Sequence, residues 1–356
     1  MKKQNNEKSR AATLIDVARL AGVSVSTAAR VLRNASYPVT DVMRERVQTA
    51  ARDVGYVPNQ LARSLRGADT TYIGLIVGNM QEPYFGSIAE AVTDEARLLP
   101  GIAIVANMQR NPLLELELCK QLWEHRVKGL ILAGGSYDQY THHAELQALL
   151  SSMENTNVAI ASLATRDLNV PTFVADNEQV GICMANSVLS QGHREIGVIF
   201  GSRKSRTTQQ RLKGIAEEKR RFGAVVHQSI GDYSFNSAGT AAEELIRKHP
   251  GITAFLCGTD SIAVGAMQRL QQLGMRIPEE ISIVGVGNTS YAQLVSPRLS
   301  SVDINLSLWA RRAVRFIGSR LLQGTGAEIE ESNTPDIPQP SVSGDTIAPA
   351  RQQSLR

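Results

Sequence analysis

The stretch Ala21-Gly22-Val23-Ser24-Val25-Ser26-Thr27-Ala28-Ala29-Arg30-Val31-Leu32-Arg33-Asn34 decides how the N-terminal part of the chain is read. Ala28, Val31 and Leu32 stand at i, i+3 and i+4, the spacing of one helix face. Leu14, Val17, Ala18 and Ala21 keep that spacing upstream, and Val42, Val47, Ala50, Ala51 and Val54 keep it downstream. Three short helices are therefore predicted between Thr13 and Val54. Thr13-x-x-Asp16 reads as a capping box with Asp in place of Glu, Gly22 breaks the first helix, and Ser24 caps the second. Helix, a turn of about four residues containing Gly, then helix is the outline of a helix-turn-helix.

Charge supports the same reading. Residues 1–66 carry twelve Lys/Arg against five Asp/Glu, a surplus of seven positive charges, whereas the whole chain of 356 residues is only +4, leaving −3 on the rest. A basic N-terminal module with a polyanionic partner, joined to a mildly acidic body, is expected. The charged fraction of 20% and hydrophobic fraction of 42% are those of a folded globular protein, and the length suggests two or three units. Cys119, Cys183 and Cys257 have no metal-ligand spacing and read as small buried hydrophobes in a reducing compartment, so no metal and no cofactor is expected. The cationic N-terminus lacks an apolar signal core, and no apolar run approaches the roughly 18 residues that span a bilayer; a cytoplasmic protein without membrane partners is expected.

From Tyr72 onward the pattern changes. Apolar runs at 73–77, 102–105, 129–132, 158–160, 196–200, 254–257 and 281–284 alternate with helical stretches at 86–98, 113–126, 178–191, 207–221, 236–248 and 260–273. Such alternation predicts parallel sheets wound by crossover helices, here two sheets split near residue 174, with ligand in the cleft beyond the carboxyl ends of the strands. A last helix over 306–322 precedes a Pro/Ser/Gly-rich tail from which 340–344 can return as a strand. The segment Asn59 to Gly67 is too short to be a stable helix alone and is expected to order on binding.

Several segments, in order and spacing, carry a resemblance. TLIDVARLAGVSVSTAARVLRN (13–34), YVPNQLARSLRG (56–67), YIGLIVGNMQEPYFGSIAEAV (72–92), VADNEQVG (174–181), LCGTDSIAVGAM (256–267) and RIPEEISIVGVGN (276–288) resemble the lactose-repressor/galactose-repressor family of bacterial transcription regulators. The resemblance implies an all-α helix-turn-helix headpiece followed by an α/β two-lobed core like the periplasmic binding proteins. It also implies a homodimer on a pseudo-palindromic operator DNA, a geometry that helix-turn-helix proteins favour, and control by a small-molecule effector such as a sugar or sugar acid. The implied division is 1–58 headpiece with tail, 59–71 hinge helix and linker, and 72–347 core, with 348–356 a tail. Within the core, lobe 1 covers about 72–174 and 304–328, and lobe 2 about 175–303 and 329–347.

If the second helix is the recognition helix, Val25, Ser26, Ala29, Arg30 and Arg33 point outward. Arg30 can fork onto guanine O6 and N7, Ser26 can bond a base edge, and Val25 can touch a thymine methyl. Thr27 and the backbone at Ser24 suit phosphate, while Arg33 is left outside the readout set. The resemblance places Val25, Ser26 and Arg30 at base-reading positions and aligns Leu65 with a minor-groove wedge flanked by Arg63 and Arg66, which would reach phosphate. The alternative for Leu61 and Leu65 is packing between two hinge helices, which is the preferred reading for Leu61. Ala28-Ala29 departs from the family's common Val-Ser.

For the effector, Tyr84 and Phe85 follow the first strand and could stack on a ring, although Phe85 could equally pack under its loop. Arg211 matches a family arginine that bonds ligand oxygens. Asp176, Tyr233 and Asp260 fall at strand ends, where Asp176 and Asp260 could instead cap the following helices. A family aspartate is replaced here by Gly287, with Asn288 a possible substitute. Arg203, Lys204 and Arg206 hint at an anionic effector. The rival readings are a solute-binding protein, disfavoured by the headpiece, and an enzyme. Gly285-Val-Gly287-Asn-Thr-Ser290 is an incomplete dinucleotide fingerprint, and no Gly-x-Ser-x-Gly or His-Glu-x-x-His motif occurs.

Overall fold

The computed structural model describes residues 12–32, 39–57, 71–99, 101–135, 142–322 and 339–351. Arg33, the hinge residues Leu61, Arg63, Leu65 and Arg66, and the chain ends lie outside the described residues. The chain divides into two units, Met1–Thr70 and Thr71–Arg356.

In the first unit, helices α1 (Leu14–Ala21), α2 (Val25–Leu32) and α3 (Asp41–Asp53) pack on one another around Val17, Ala18, Ala21, Ala28, Val31, Val47, Ala50 and Ala51. Each helix start is fixed by a short side chain that meets an orphan backbone donor. Thr13 Oγ1 accepts from Asp16 N while Asp16 Oδ2 accepts from Thr13 N at 2.9 Å, so aspartate completes the box. Ser24 Oγ accepts from Thr27 N at 3.1 Å, and Thr40 caps α3. Gly22 ends α1 at φ 61°, where a side chain would be strained.

The second unit holds two sheets. The first is all parallel with strand order β2 (Gly101–Asn107), β1 (Thr71–Val77), β3 (Gly129–Leu132), β4 (Ala159–Ser162). Its crossover helices are α4 (Pro83–Leu98), α5 (Pro112–Glu124) and α6 (His143–Glu154). The second sheet has β5 (Glu195–Phe200), β6 (Val225–Ile230), β7 (Ala254–Cys257), β8 (Ser282–Val286), β9 (Ser300–Asp303) and β10 (Ser341–Ser343) in the order β10-β9-β8-β7-β5-β6. Its pairs are parallel except β9 with β10. Around it lie α7 (Asn177–Leu189), α8 (Arg206–Phe222), α9 (Phe235–Lys248), α10 (Asp260–Gln272) and α11 (Ser290–Leu294). The chain then recrosses: α12 (Leu306–Leu322) packs against α4, β3 and β4 of the first lobe, and β10 returns to the second sheet.

The central strands are buried on both faces, as parallel strands under crossover helices must be: β3 and β7 are buried at every residue. Several elements were absent from the sequence reading. Helix α6, capped by His142, buries Leu146, Leu150 and Met153. Strand β6 is an edge strand of mixed Val, His, Gln and Ser, and β9 is serine-rich, so neither carries an apolar run.

Candidate functional site

On α2, Ala28 and Val31 are fully buried, while Ser24, Val25, Ser26 and Arg30 are exposed; Thr27 and Ala29 are half-buried. The face follows from helical period, since positions 26 and 30 lie opposite 28 and 31 and position 25 lies at the border in the first turn. The Ser24 hydroxyl is engaged within its own turn, 3.0 Å from Ser26 Oγ and 2.8 Å from Thr27 Oγ1. This triad of hydroxyls at a helix N-terminus, with its free N–H groups and positive dipole end, is suited to meeting an anionic oxygen. Val25, 43% exposed, is an apolar side chain kept in solvent next to Ser26 and Arg30.

The second site is a cleft between the lobes, a cavity of about 90 Å³ built from residues just past the carboxyl ends of β1 to β7. Glu82, Tyr84 and Phe85 come from the start of α4, and Arg110 from the turn after β2. Leu163 and Ala164 follow β4, Asn177 opens α7, and Ser205, Thr207, Thr208 and Arg211 come from the start of α8. Tyr233 follows β6, and Gly258 and Thr259 follow β7.

Arg211 is set from behind. Helices α7 and α8 meet through two glycines: a Cβ on Gly181 would lie 2.1 Å from Arg211 O, and one on Gly214 would lie 2.1 Å from Glu178 O. That close approach brings Arg211 Nε within 3.0 Å of Asn177 Oδ1 and Nη1 within 2.8 Å of Gly258 O. Burial pulls the arginine's pKa down, and nearby Tyr84, Tyr233 and Asp260 oppose this. Burial likewise pushes the Tyr84 phenol up, with Arg211 opposing. The pocket floor therefore presents a desolvated, directed cation beside the neutral Tyr84 phenol.

Arg110 closes the cleft from the first lobe. Its Nη2 lies 2.5 Å from Glu82 Oε1, and its guanidinium carbon sits 3.9 Å from the centre of the Tyr233 ring, which belongs to the second lobe. Gln109 and Arg110 both take left-handed φ, 50° and 56°. Such conformations cost non-glycine residues energy, and here the turn is held by Gln109 N on Asn107 Oδ1 at 3.2 Å and Arg110 N on Gly78 O at 2.8 Å. An exposed Arg206–Asp167 ion pair also joins the lobes.

Of the sequence candidates, Tyr84, Phe85, Arg211 and Tyr233 are brought together here. Phe85 does both things expected of it, since it lines the cleft and is 5% exposed within the first lobe's core. Three candidates are not in the lining. Asp176 is exposed and caps α7, accepting from Glu178 N and Gln179 N at 2.9 and 3.2 Å. Asp260 is 1% exposed behind the wall, where it accepts from Thr289 N, Thr289 Oγ1 and Ser301 Oγ at 2.7, 2.8 and 2.5 Å, joining α10 to β9 and the turn after β8. Burial raises its pKa against those bonds and the charge of Arg211. Its helix is capped by Thr259 instead. Asn288, at φ 47°, donates to Asp303 Oδ2 at 3.1 Å and locks the turn after β8. The basic loop also turns away: Arg203 reaches Gln228, Arg206 reaches Asp167, Lys204 is exposed, and only Ser205 from that loop lines the cleft. Glu82, Arg110, Asn177 and Thr208 were missed; the positive φ pair that aims Arg110 has no signature in sequence.

Comparison with known proteins finds matches in both units of the chain. Residues 13–59 match the model of bacterial regulatory proteins of the lacI family, and 185–342 match a periplasmic binding protein-like domain. The HTH-type transcriptional repressor CytR of Escherichia coli (strain K12) is 30% identical over 300 residues, covering 82% of this chain and 84% of that protein. Catabolite control protein A of Priestia megaterium is 29% identical over 300 residues, covering 82% of this chain and 86% of its own. The fold matches a lac repressor dimer bound to operator and the anti-inducer ONPF with a TM-score of 0.78 at 24% identity, over 95% of this chain and 100% of that one. With a helix-turn-helix unit followed by a two-lobed binding core, this chain belongs to the lacI family of bacterial regulatory proteins and is a DNA-binding transcriptional regulator.

Proposed function

We propose that the chain is a repressor that binds a pseudo-palindromic operator as a homodimer and whose DNA affinity is set by a sugar or sugar derivative in the interlobe cleft. The observation that supports this reading best is the exposed row of Val25, Ser26 and Arg30 on α2, backed by the buried Ala28 and Val31. In the proposed complex Arg30 reads guanine, Ser26 a base edge and Val25 a thymine methyl, while Ser24 and Thr27 meet phosphate. The hinge residues Arg63, Leu65 and Arg66 add phosphate contacts and a wedge.

For the effector, a buried arginine fork and Asn177 offer directed bonds to hydroxyl oxygens, and Tyr84, Phe85 and Tyr233 offer apolar faces for a sugar ring. The cleft is narrow because Arg110 bridges to Tyr233, so a ligand that displaces that bridge changes the relative energy of lobe arrangements; only such differential binding can shift DNA affinity. The reading includes no catalytic step and a cytoplasmic location; among the described residues no helix is long and apolar enough to cross a membrane.

The test is Arg30→Ala, measured by anisotropy on an operator selected from random DNA and on unselected DNA. Discrimination should fall by about 1–3 kcal/mol while binding to unselected DNA changes little. Equal weakening on both sequences would remove Arg30 from base readout.

A further inference from the structure

Away from the cleft, Glu195, His227 and His249 meet at the outer edge of the second sheet. Glu195 begins β5, and the parallel register sets His227 of the edge strand β6 beside Gly197, so Glu195 and His227 project from the same face. Helix α9 covers that face and ends at His249, its C-cap. The two imidazoles stack with ring centres 3.5 Å apart and planes 16° from parallel. His227 Nε2 lies 3.0 Å from Glu195 Oε1. One donor atom from each of the three residues lies within 4.8 Å of the other two.

We propose that this cluster is a binding site for a divalent transition-metal ion, zinc being the ion its donor set suits best. Two imidazoles and one carboxylate form a three-ligand zinc set that leaves the fourth position to water, and bonds of about 2.0–2.2 Å at tetrahedral angles put donor atoms roughly 3.3 Å apart. The His227–Glu195 pair is already near that separation, and His249 supplies the third donor by turning its ring out of the stack with His227. A separate observation points to the same place. A Cβ at Gly251 would lie 2.1 Å from Glu195 Oε2, so a side chain at position 251 would make the carboxylate shift from its place beside the histidines. The approach is open: a hollow of about 330 Å³ is lined by both histidines and by Gln228, Ser229, Glu244 and Lys248. The Lys248 ammonium is drawn to Glu244 at 3.3 Å, which lessens its repulsion of an incoming cation. Binding replaces the His227–Glu195 hydrogen bond, because the ion takes the same lone pairs. The bound ion would tie the edge strand and the end of α9 to β5, stiffening the border of the second lobe.

The experiment is calorimetric titration of the full chain, without an affinity tag, with zinc chloride, paralleled by the visible absorption of cobalt(II). One saturable equivalent per chain is expected, with cobalt bands of low coordination number. The paired substitution His227→Gln with His249→Gln should abolish both signals, and Glu195→Gln should weaken binding at least about tenfold. Gly251→Ala keeps all three ligands but displaces the carboxylate, and it should weaken zinc by a similar factor, which keeps the test decisive if the double variant does not fold. Failure of the wild-type chain to bind zinc saturably overturns the proposal. So does undiminished binding in the folded double variant, or in Glu195→Gln and Gly251→Ala together.

Discussion

The two folded units are held together by different means. Among the described residues of the headpiece the buried side chains are five alanines and three valines, and none larger than valine is buried. In the core unit the fully buried set includes Phe200, Phe255, Leu75, Leu130 and Ile131. Burial free energy follows apolar area, so the headpiece has a thin margin from packing, and helix caps and individual methyl groups carry a larger share of it. Small side chains also let short helices pack closely and keep the α2 surface free for Val25, Ser26 and Arg30. The core has packing to spare and uses it to hold charge out of water, with Arg211 and Asp260 both buried and hydrogen-bonded.

The largest test of that contrast lies where the core has no slack. Gly214→Val should drive α7 and α8 apart and cost about 3 kcal/mol or more of core stability, with Arg211 displaced. In calorimetry the core transition should fall while the headpiece transition stays, and a core unchanged by this variant would break the account of how Arg211 is placed. Next, Val47→Ala removes two methyl carbons from a fully buried site and should cost the headpiece about 2 kcal/mol, a large part of what so small a unit has. Chemical denaturation of the headpiece alone reads this; a loss no greater than for an equivalent valine in the core, measured as a share of each unit's stability, would remove the contrast.

Thr13→Ala deletes the α1 cap and should lower headpiece stability by about 1 kcal/mol, read as earlier melting of the helical signal. The smallest effect concerns His193, which binds the returning C-terminal segment through Nε2 on Ala348 O at 3.0 Å and faces Thr253 Oγ1 at 2.8 Å. Burial lowers its pKa, the Ala348 carbonyl opposes that, and Arg194 adds to it. The folded value thus lies below the unfolded one, so the unfolded chain takes up the proton first as pH falls. The contribution is intact above about pH 6.5 and lost as pH falls through the folded value. The core melting temperature should drop by a degree or two more over that window than in His193→Gln; equal drops would exclude His193 as the source.

Legibility in sequence followed burial. Helices and strands with a strong apolar period, such as α1 to α3, β1, β3 and β7, were predicted in place, because one face or both must be covered. Edge strand β6 and serine-rich β9 were missed, since a strand half in water or bonded through hydroxyls needs no apolar run. In the cleft, Tyr84, Phe85, Arg211 and Tyr233 were named because they fall just after strands or match the family. Asp260 and Asn288 also fall just after strands, and Asp176, expected at a strand end, instead follows a long connection after β4; the side chains of all three turn to backbone donors, hydroxyls or Asp303. Position along the chain could not tell these two groups apart.

By itself the sequence determined the elements with a strong apolar period, the basic headpiece with its outward Val25, Ser26 and Arg30, and the two-lobed α/β plan. These follow from local period, capping chemistry and charge, which act between residues near in sequence. Only the tertiary structure decided which strand-end residues face the cleft, how Arg110 reaches Tyr233 of the other lobe, and that Glu195, His227 and His249 share one edge. Those arrangements depend on close approaches such as Gly181 with Gly214 and on sheet register, where residues far apart in the chain are brought within a few ångströms by packing that no local pattern encodes.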